Sequence, residues 1–413
     1  MLQRRTRPPL RGRLLARLAL LGPAFVAAVA YVDPGNVASN VQAGARYGYL
    51  LTWVLVLATV CAGIVQYLSA KLGVVTGQSL PELIGDRLGT PSRLAFWLQA
   101  ETVAMATDLA EVIGGAVALY LLFDVPLFAG GLIAGLISLL LLWVQDAHGQ
   151  RPFERVITGL LLILTVGFMA GLFVAPPDPA EVAAGLVPHF DGLDSVLLAT
   201  AMLGATVMPH VVYLHSALTR DRFGLVPAGD RRRRVLAGTR TDVVLAMLLA
   251  GTVNVSMLLL AASALGGQDN VDTLEGAHTA VSTTLGPVIG VLFAVGLLAS
   301  GLASTSVGCY AGSVIMAGLL RRRIPLLVRR VVTMIPALIA LGVGADPTTV
   351  LILSQVVLSF GLPLALIPLV RLTGLRSVMG DDASGRALNV AGWAIAAAVS
   401  ALNIALIVGV VLG

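Results

Sequence analysis

The chain has 413 residues, of which 57% are hydrophobic and only 12% are charged, and its mean hydropathy is +0.92. A soluble globular domain carries charge on about a quarter of its residues, so this composition excludes that class. Apolar runs of about twenty residues recur along the chain, each long enough to cross a bilayer. We therefore predict an all-α polytopic membrane protein, because the short alternating strands of a membrane β-barrel are missing from the sequence.

The apolar runs predict eleven transmembrane helices, near residues 16–41, 48–71, 94–121, 125–144, 156–175, 194–218, 242–264, 279–315, 328–343, 347–370 and 388–411. If the basic N-terminus is cytoplasmic, that terminus and the loops on the same side hold every one of the 27 Lys and Arg residues except Arg46. This bias predicts a cytoplasmic N-terminus and an extracytoplasmic C-terminus in the cell's inner (plasma) membrane. The arginine run at 231–234 then orients the chain in the lipid bilayer, and we predict no nucleic-acid partner.

The first and sixth predicted spans are both interrupted, by "DPGN" at 33–36 and by "MPH" at 208–210. Proline lacks a backbone donor and pushes the preceding residue out of the α region. The breaks lie five spans apart, and five is odd, so a repeated five-helix unit would enter the membrane with opposite polarity the second time. We predict a single domain, 1–413, with inverted repeats at about 16–175 and 194–370, an extra helix at about 388–411, and helices one and six unwound at mid-membrane.

Polar groups at the two breaks predict a cation site. Asp33 supplies a charge, Asn36 an amide oxygen and Met208 a thioether. Unwinding would free the backbone carbonyls of Ala30 and Ala205. This set suits a borderline-soft divalent cation, because Mg²⁺ and Ca²⁺ prefer oxygen ligands alone. A carboxylate at the centre of a membrane helix costs about 2.5–3.5 kcal/mol, which makes a functional role the default for Asp33, whereas core packing remains the alternative for Met208.

In span ten, Gln355 is a further candidate ligand or gate. An interhelical hydrogen bond would explain it equally well.

Three acids in span three, Glu101, Asp108 and Glu111, lie on one face of a helix. Asp108 is about 20° from Glu101, Glu111 is about 60° from Asp108, and the stripe covers roughly 15 Å. Ionisable groups do not face lipid, so the stripe faces the bundle interior and predicts a proton relay. The alternatives are ion pairs with Arg329 or Arg330 and a water-filled vestibule.

His210 and His215 lie in the second half of span six. Histidine titrates near neutral pH, which suits proton transfer. Residues five apart point about 140° away from each other on a helix, so the two rings cannot hold one metal side by side. We predict proton handling, with a satisfied polar contact as the alternative.

These segments together resemble the Nramp family of proton-coupled divalent metal transporters, in its bacterial manganese-transport branch. Besides the two breaks, the resemblance rests on "AGARYGY" after span one, "AETVAMATDLAE" in span three, "GATVMPHVVYLHSALT" in span six and "LLASGLASTSVG" in span eight. It implies a LeuT-like fold of two inverted five-helix repeats with one extra C-terminal helix.

The resemblance also implies roles for individual residues. The implied metal ligands are Asp33, Asn36 and Met208, with the carbonyls of Ala30 and Ala205 joining in different states and Gln355 in one occluded state. The implied proton route is Asp108 and Glu111, with His210 tied to the coupling. Magnesium-transporting relatives lack this pattern, chiefly the methionine, so Met208 favours the transition-metal branch.

We predict a proton-coupled importer of Mn²⁺ and Fe²⁺ that works by alternating access, functions as a monomer and is not an enzyme. The metal ions and protons are its transported partners, and no resident cofactor is predicted. A same-fold symporter for an organic solute such as an amino acid is one alternative, although Asp33 would repel a substrate carboxylate. A passive divalent cation channel is the other. A membrane enzyme is disfavoured, because no GxSxG, HExxH or P-loop motif is present.

Overall fold

The structure is a computed structural model that describes residues 22–148, 150–266, 271, 273–322 and 324–412. All regular elements in these ranges are helical, which confirms the predicted all-α class. In chain order they are α1 Pro23–Ala30, α2 Pro34–Tyr47, α3 Thr52–Thr76, α4 Leu80–Gly85, α5 Thr90–Phe123, α6 Leu127–His148, α7 Gln150–Met169, α8 Pro179–Ala184, α9 Gly192–Thr206, α10 Pro209–Phe223, α11 Asp230–Leu265, α12 Leu274–Leu285, α13 Pro287–Ile315, α14 Leu326–Gly342, α15 Pro347–Gly374, α16 Arg376–Met379 and α17 Arg386–Leu412.

Helices stop and restart at both predicted breaks. α1 ends at Ala30 and α2 begins at Pro34, while α9 ends at Thr206 and α10 begins at Pro209. Proline suits the first turn of a helix, because its fixed φ is helical and its missing N–H would have no partner there. The two prolines therefore start the second helix of each pair.

The four helices that flank the breaks lie inside the bundle. α2 packs against α9, α11 and α15, and α10 packs against α3, α13 and α15. α5 packs against α13 and α15, which places the acid-bearing helix beside both broken pairs. Every residue of α10 from Pro209 to Thr219 is buried, so the polar groups near the breaks are removed from solvent and lipid.

Seven helical segments within the described ranges are long and apolar enough to cross a membrane, which makes the chain a multi-pass membrane protein. One of them, Gly192–Phe223, joins α9 and α10 across the second break. Two further apolar stretches, Leu127–Leu141 and Gly159–Phe173, are shorter. α1 and α2 have 8 and 14 residues, and each is too short for a crossing that needs about 20. The count of eleven spans remains a prediction, and residues 16–21 of the first predicted span lie outside the described residues.

The predicted eighth span, 279–315, differs from the structure. It is divided between α12 and α13, which meet at Gly286. Gly286 has φ 99°, a conformation that glycine adopts at little cost, and Pro287 then starts α13. α12 begins against α15, since the Leu274 N–H donates to Thr348 Oγ1 at 3.0 Å. The prediction was wrong here because it joined the half-polar stretch 279–285, TAVSTTL, to the long apolar run that begins at Pro287, across a Gly-Pro turn.

Candidate metal site and the buried ion-pair network

Asp33 lies in the first break and has no exposed surface. Its Oδ1 accepts a hydrogen bond of 2.8 Å from the Asn36 N–H and thereby caps α2. Its Oδ2 accepts a hydrogen bond of 3.0 Å from Gln355 Nε2 on α15. The positive end of the α2 dipole also favours a negative charge at this position. The carboxylate is thus fixed in orientation by donors from two elements.

The carbonyls of Ala30 and Ala205 occupy equivalent places before the two breaks. In a continuous helix each would accept from the N–H four residues ahead, but those residues are Pro34 and Pro209, which have no N–H. Each proline therefore releases one buried carbonyl from helical hydrogen bonding. The Ala205 carbonyl accepts a hydrogen bond of 3.0 Å from Asn36 Nδ2 across the two breaks.

Asn36 joins the two breaks through its side-chain amide. Nδ2 donates to the carbonyls of Tyr31 at 2.8 Å and Ala205 at 3.0 Å, so Oδ1 must point the other way. Oδ1 is buried and has no hydrogen-bond partner within the described part of the chain. A buried acceptor without a donor costs free energy, and a cation would remove that cost.

Gln355 reaches Asp33 because two glycines leave it space. A Cβ on Gly35 would overlap the Gln355 side chain, and a Cβ on Gly204 would overlap the Gln355 carbonyl oxygen. Like Asn36 Oδ1, Gln355 Oε1 is a buried acceptor for which the described residues provide no hydrogen-bond donor. Both amide oxygens are therefore available as ligands.

Met208 lies in the second break, three residues after Ala205. It is the N-cap residue of α10, directly before Pro209, and it is fully buried. Its thioether is therefore held among the packed helices near the break and not on a lipid-facing surface.

The breaks combine one carboxylate, one thioether and several neutral oxygens. Within the ranges that the structure describes, no group of three or more His, Cys, Asp or Glu side chains is suited to hold a metal ion. A cation at the breaks would depend on Asp33 for charge and on neutral donors for the rest of its shell. Such a mixed oxygen and sulfur set suits Mn²⁺ or Fe²⁺ better than Mg²⁺ or Ca²⁺.

The acid stripe on α5 faces α14 and forms ion pairs with its two arginines. The guanidinium nitrogens of Arg329 lie 3.0 Å from a carboxylate oxygen of Glu101 and 3.9 Å from one of Asp108. Arg330 lies 3.0 Å from Asp108 and 3.6 Å from Glu111. The stripe therefore faces the interior as predicted, and the arginine partners that were one alternative are present. The relay itself remains a prediction.

Two guanidinium groups thus face three carboxyl groups in a buried cluster. Arg330 is also tied to Ser138 Oγ at 2.9 Å and to Thr305 Oγ1 at 3.3 Å. The stripe reaches the first break, because Gly114, one turn after Glu111, packs so closely on Pro34 that a Cβ would overlap its ring. With every group ionised the cluster carries one excess negative charge, which a proton can neutralise.

The two histidines of α10 contact different helices. His210 Nδ1 lies 3.2 Å from Thr107 Oγ1 on α5, next in sequence to Asp108. His215 Nδ1 lies 2.6 Å from Gln66 Oε1 on α3, and since that oxygen only accepts, Nδ1 carries the proton. The Nε2 atoms of both rings are buried without a hydrogen-bond partner among the described residues. Of the two, only His210 adjoins the acid stripe.

Sequence reasoning missed two asparagines that complete the first break. Asn254 Nδ2 on α11 donates to the Tyr31 carbonyl at 2.8 Å, and Asn40 Nδ2 donates to Asn254 Oδ1 at 3.3 Å. Both are fully buried. An asparagine inside an apolar run was the available signal, since a polar side chain at that depth needs a partner.

Comparison with known proteins relates this chain to a family of transporters. A family model described as natural resistance-associated macrophage protein-like (Nramp) matches residues 24–409. The chain is 62% identical over 388 residues to the divalent metal cation transporter MntH of Mycobacterium tuberculosis, covering 94% of this chain and 91% of that protein. It is 47% identical over 388 residues to MntH of Deinococcus radiodurans, covering 94% and 88%.

Solved structures agree with the fold. A manganese transporter of Eremococcus coleocola superimposes with a TM-score of 0.86 at 30% identity, covering 96% of this chain and 87% of that one. Mhp1, a nucleobase-cation-symport-1 transporter in a closed conformation, gives 0.57 at 16% identity, covering 95% and 90%. The molecule is therefore a helical membrane transporter with a LeuT-like fold. Within that class it belongs to the Nramp family, as residues 24–409 show.

Proposed function

We propose that this protein imports divalent transition metal ions, Mn²⁺ and Fe²⁺, together with protons across the cell's inner membrane. The observation that carries the proposal is the meeting of the two breaks, where Asn36 bridges to Ala205 beside the buried Asp33 carboxylate. Relatives described as divalent metal cation transporters, and a manganese transporter with the same fold, support a metal ion as substrate.

The proposal assigns eleven spans to the chain, with the N-terminus cytoplasmic, the C-terminus extracytoplasmic and the breaks at mid-membrane. The distribution of Lys and Arg supports this orientation. An inside-negative membrane potential then favours uptake by about 2.3 kcal/mol per charge per 100 mV. All the proposed ligands come from one chain, so a monomer is sufficient for transport.

Alternating access is part of the proposal because the site is closed. Asp33, Asn36 and Met208 have no exposed surface, so a hydrated ion reaches them only if the surrounding helices move. A passive channel would need a continuous open path. The half-helices beside the breaks are the natural moving parts, since a break leaves each half free to tilt without bending a continuous helix.

The proton is proposed to travel along the acid stripe and not through the metal ligands. Asp108 and Glu111 lie beside the first break, and His210 adjoins Asp108 through Thr107. Entry of a divalent cation at Asp33 would raise the positive charge near the stripe and favour release of a proton from it. Uptake of metal and movement of protons would thereby be linked.

The test is Mn²⁺ uptake into proteoliposomes with internal pH followed at the same time and Mg²⁺ in excess outside. The wild-type chain should accumulate Mn²⁺ and acidify the interior. Asp33→Asn, which removes the charge but keeps the shape, should abolish uptake. Asp178→Asn, which changes an exposed aspartate that caps α8, is the matched control and should transport normally.

Three results would contradict the proposal. If Asp33→Asn still transports Mn²⁺, the breaks do not form the metal site. If Mn²⁺ enters without acidification in the wild type, the chain acts as a channel or an uncoupled carrier. If the wild type carries an amino acid and not Mn²⁺, the organic-solute symporter replaces the proposal.

A further inference from the structure

The N-terminal end of α1 is held by a side chain from a distant part of the sequence. Asp242 on α11 accepts hydrogen bonds from the Gly22 N–H at 3.0 Å and from the Ala24 N–H at 2.9 Å, one with each carboxylate oxygen. Asp242 is 1% exposed. The two partners lie 220 and 218 residues before it in the sequence.

These bonds satisfy groups that α1 cannot satisfy itself. The first N–H groups of a helix have no partner within the helix, and the N-cap residue Gly22 has no side chain that could accept from them. A carboxylate at this end also interacts favourably with the helix dipole, and bonds to an ionised acceptor are stronger than neutral ones. Asp242 therefore acts as the N-cap of a helix to which it does not belong.

Asp242 provides a polar attachment that the side chains of α1 cannot make themselves. The eight residues, PAFVAAVA, carry no hydrogen-bonding side-chain group. The opposite end of the helix is Ala30, whose carbonyl faces the first break. Eight residues span about 12 Å, so Asp242 and the proposed metal site hold the two ends of one short rod.

α10, the helix that follows the second break, is attached quite differently. Ser69 Oγ on α3 donates to the Val212 carbonyl at 2.6 Å, and Thr219 Oγ1 donates to the Ala70 carbonyl at 3.1 Å. The Leu80 N–H, at the start of α4, donates to Ser216 Oγ at 2.8 Å. Hydrogen bonds along its length thus fix α10 to α3 and α4. By contrast, the hydrogen bonds that α1 makes to a side chain of another helix lie at its first turn.

We propose that Asp242 is a positioning residue for transport: its carboxylate holds the first turn of α1 in place while the site is closed, and the loss of these two bonds lets α1 leave the bundle and open the site towards the side of the N-terminus. This inference rests on the proposed function and names the residue that controls one step of it. Asp242 is neither one of the proposed metal ligands nor one of the three acids of the stripe, so the proposed effect is on the equilibrium between closed and open states.

The test uses a reporter cysteine on α1 in the full-length chain. Cys61 and Cys309 are replaced by alanine, and Ala28→Cys is introduced, because Ala28 is fully buried and would become accessible only when α1 moves. Purified protein in nanodiscs is treated with a charged thiol reagent, and the modification rate is measured. Mn²⁺ binding is measured on the same samples by calorimetry.

Asp242→Asn replaces one of the two acceptor oxygens by an amide nitrogen, which cannot accept from the backbone N–H that it faces. Modification of the cysteine at position 28 should therefore be about tenfold faster or more. Asp242→Glu keeps the carboxylate on a longer stem and should give an intermediate rate. Asp178→Asn makes the same exchange in an exposed aspartate that caps α8 and should leave the rate unchanged. Mn²⁺ binding by Asp242→Asn should persist, which shows that the site is folded.

An unchanged modification rate in an Asp242→Asn protein that still binds Mn²⁺ would overturn the inference. If that variant does not bind Mn²⁺, Asp242→Glu decides by the same criterion. The proposed function fails separately, because absence of Mn²⁺ binding by the reporter chain with Asp242 intact would refute it whatever the modification rates are.

Discussion

Met208 brings to the proposed site the one kind of donor that separates transition metals from the more abundant hard cations. Its thioether contributes to binding of Mn²⁺ or Fe²⁺ and offers nothing to Ca²⁺ or Mg²⁺. We expect Met208→Ala to weaken Mn²⁺ uptake and to make it sensitive to excess Ca²⁺. The measurement is inhibition of Mn²⁺ uptake by Ca²⁺ in proteoliposomes.

Met247→Ala is the control for this experiment, because Met247 is also a buried methionine, 6% exposed, but lies on α11 beside Gly63 of α3 and is not one of the proposed ligands. It should lose some stability but keep the selectivity of the wild type. Equal Ca²⁺ inhibition in wild type and Met208→Ala would show that the thioether does not bind the ion.

Gly35 is predicted to be indispensable for a steric reason. A Cβ at this position would overlap the Gln355 amide that bonds to Asp33. We expect Gly35→Ala to displace Gln355 and to weaken Mn²⁺ binding about tenfold or more, in line with the ~1–3 kcal/mol that overpacking costs. Calorimetric titration with Mn²⁺ measures the effect.

Gly159→Ala provides the comparison, because a Cβ there meets nothing within 4 Å. In a helix interior that change should stabilise the protein by about 0.5–1 kcal/mol and leave Mn²⁺ binding unchanged. Wild-type affinity in Gly35→Ala would mean that Gln355 does not need its present position.

At the level of elements, α5 and α14 are joined by the ion-pair network. Arg330→Gln would leave Asp108 and Glu111 facing each other without their shared guanidinium. Loss of one partner of a buried pair costs about 3–5 kcal/mol, so we expect a strong loss of stability in thermal unfolding.

Arg321→Gln is the matched control for the network. Arg321 pairs with Asp86 at 3.2 Å, but both side chains are more than half exposed. An exposed pair contributes about 0–1 kcal/mol, so this change should hardly alter stability. If the two variants unfold alike, the buried network does not join the helices as described.

The short helix α4, between α3 and α5, is held by a capping box. Glu82 Oε2 accepts from the Ser79 N–H at 2.7 Å and from its hydroxyl at 2.9 Å, and Arg220 lies 2.6 Å away. Burial raises the pKa of Glu82, but the Ser79 donors and Arg220 outweigh it and lower the pKa below its ordinary value of 4.5. The ionised form therefore stabilises the folded state.

The lowered pKa of Glu82 predicts how the stability of the protein changes with pH. The stabilisation by Glu82 is complete above its ordinary pKa of 4.5 and is lost as the pH falls through the lowered value. Glu82→Gln should therefore melt below the wild type at neutral pH, and the gap should close in acid. A gap that stays constant from neutral pH to below 4.5 would show that the carboxylate charge does not matter.

For the whole molecule, the proposed count of eleven spans is odd and would place the two termini on opposite sides of the membrane. The test uses a chain whose two cysteines are replaced. Ala183 on α8 is exposed and lies in a segment predicted to be outside the cell, so Ala183→Cys should react with an impermeant thiol reagent added to intact cells. Ala387→Cys, in an exposed turn of α17, should react only after lysis. The opposite pattern would invert the proposed orientation.

The sequence predicted the features that depend on local chemistry. Pro34 and Pro209 each remove a helical hydrogen bond and disfavour the α conformation of the residue before them, and the 3.6-residue period places Asp108 and Glu111 on one face, so both features could be predicted from spacing. The partners of Asp242 and Asn254 could not, because their bonds join residues 218 to 223 positions apart. Such contacts depend on how the helices pack against one another, and the hydrophobic pattern of the sequence does not determine that packing. The Gly286 turn was missed for the opposite reason, since its local signal was outweighed by the apolar run.

The way the two alanine carbonyls are released also determines which mutations the protein can tolerate. Ala30 and Ala205 would act through backbone oxygens, which every amino acid possesses, so a substitution at either position changes the volume near the ion but leaves its oxygen donor in place. The donor depends instead on Pro34 and Pro209, four residues further along. Among related sequences, selection for these two backbone ligands would therefore conserve Pro34 and Pro209, although neither proline needs to contact the metal.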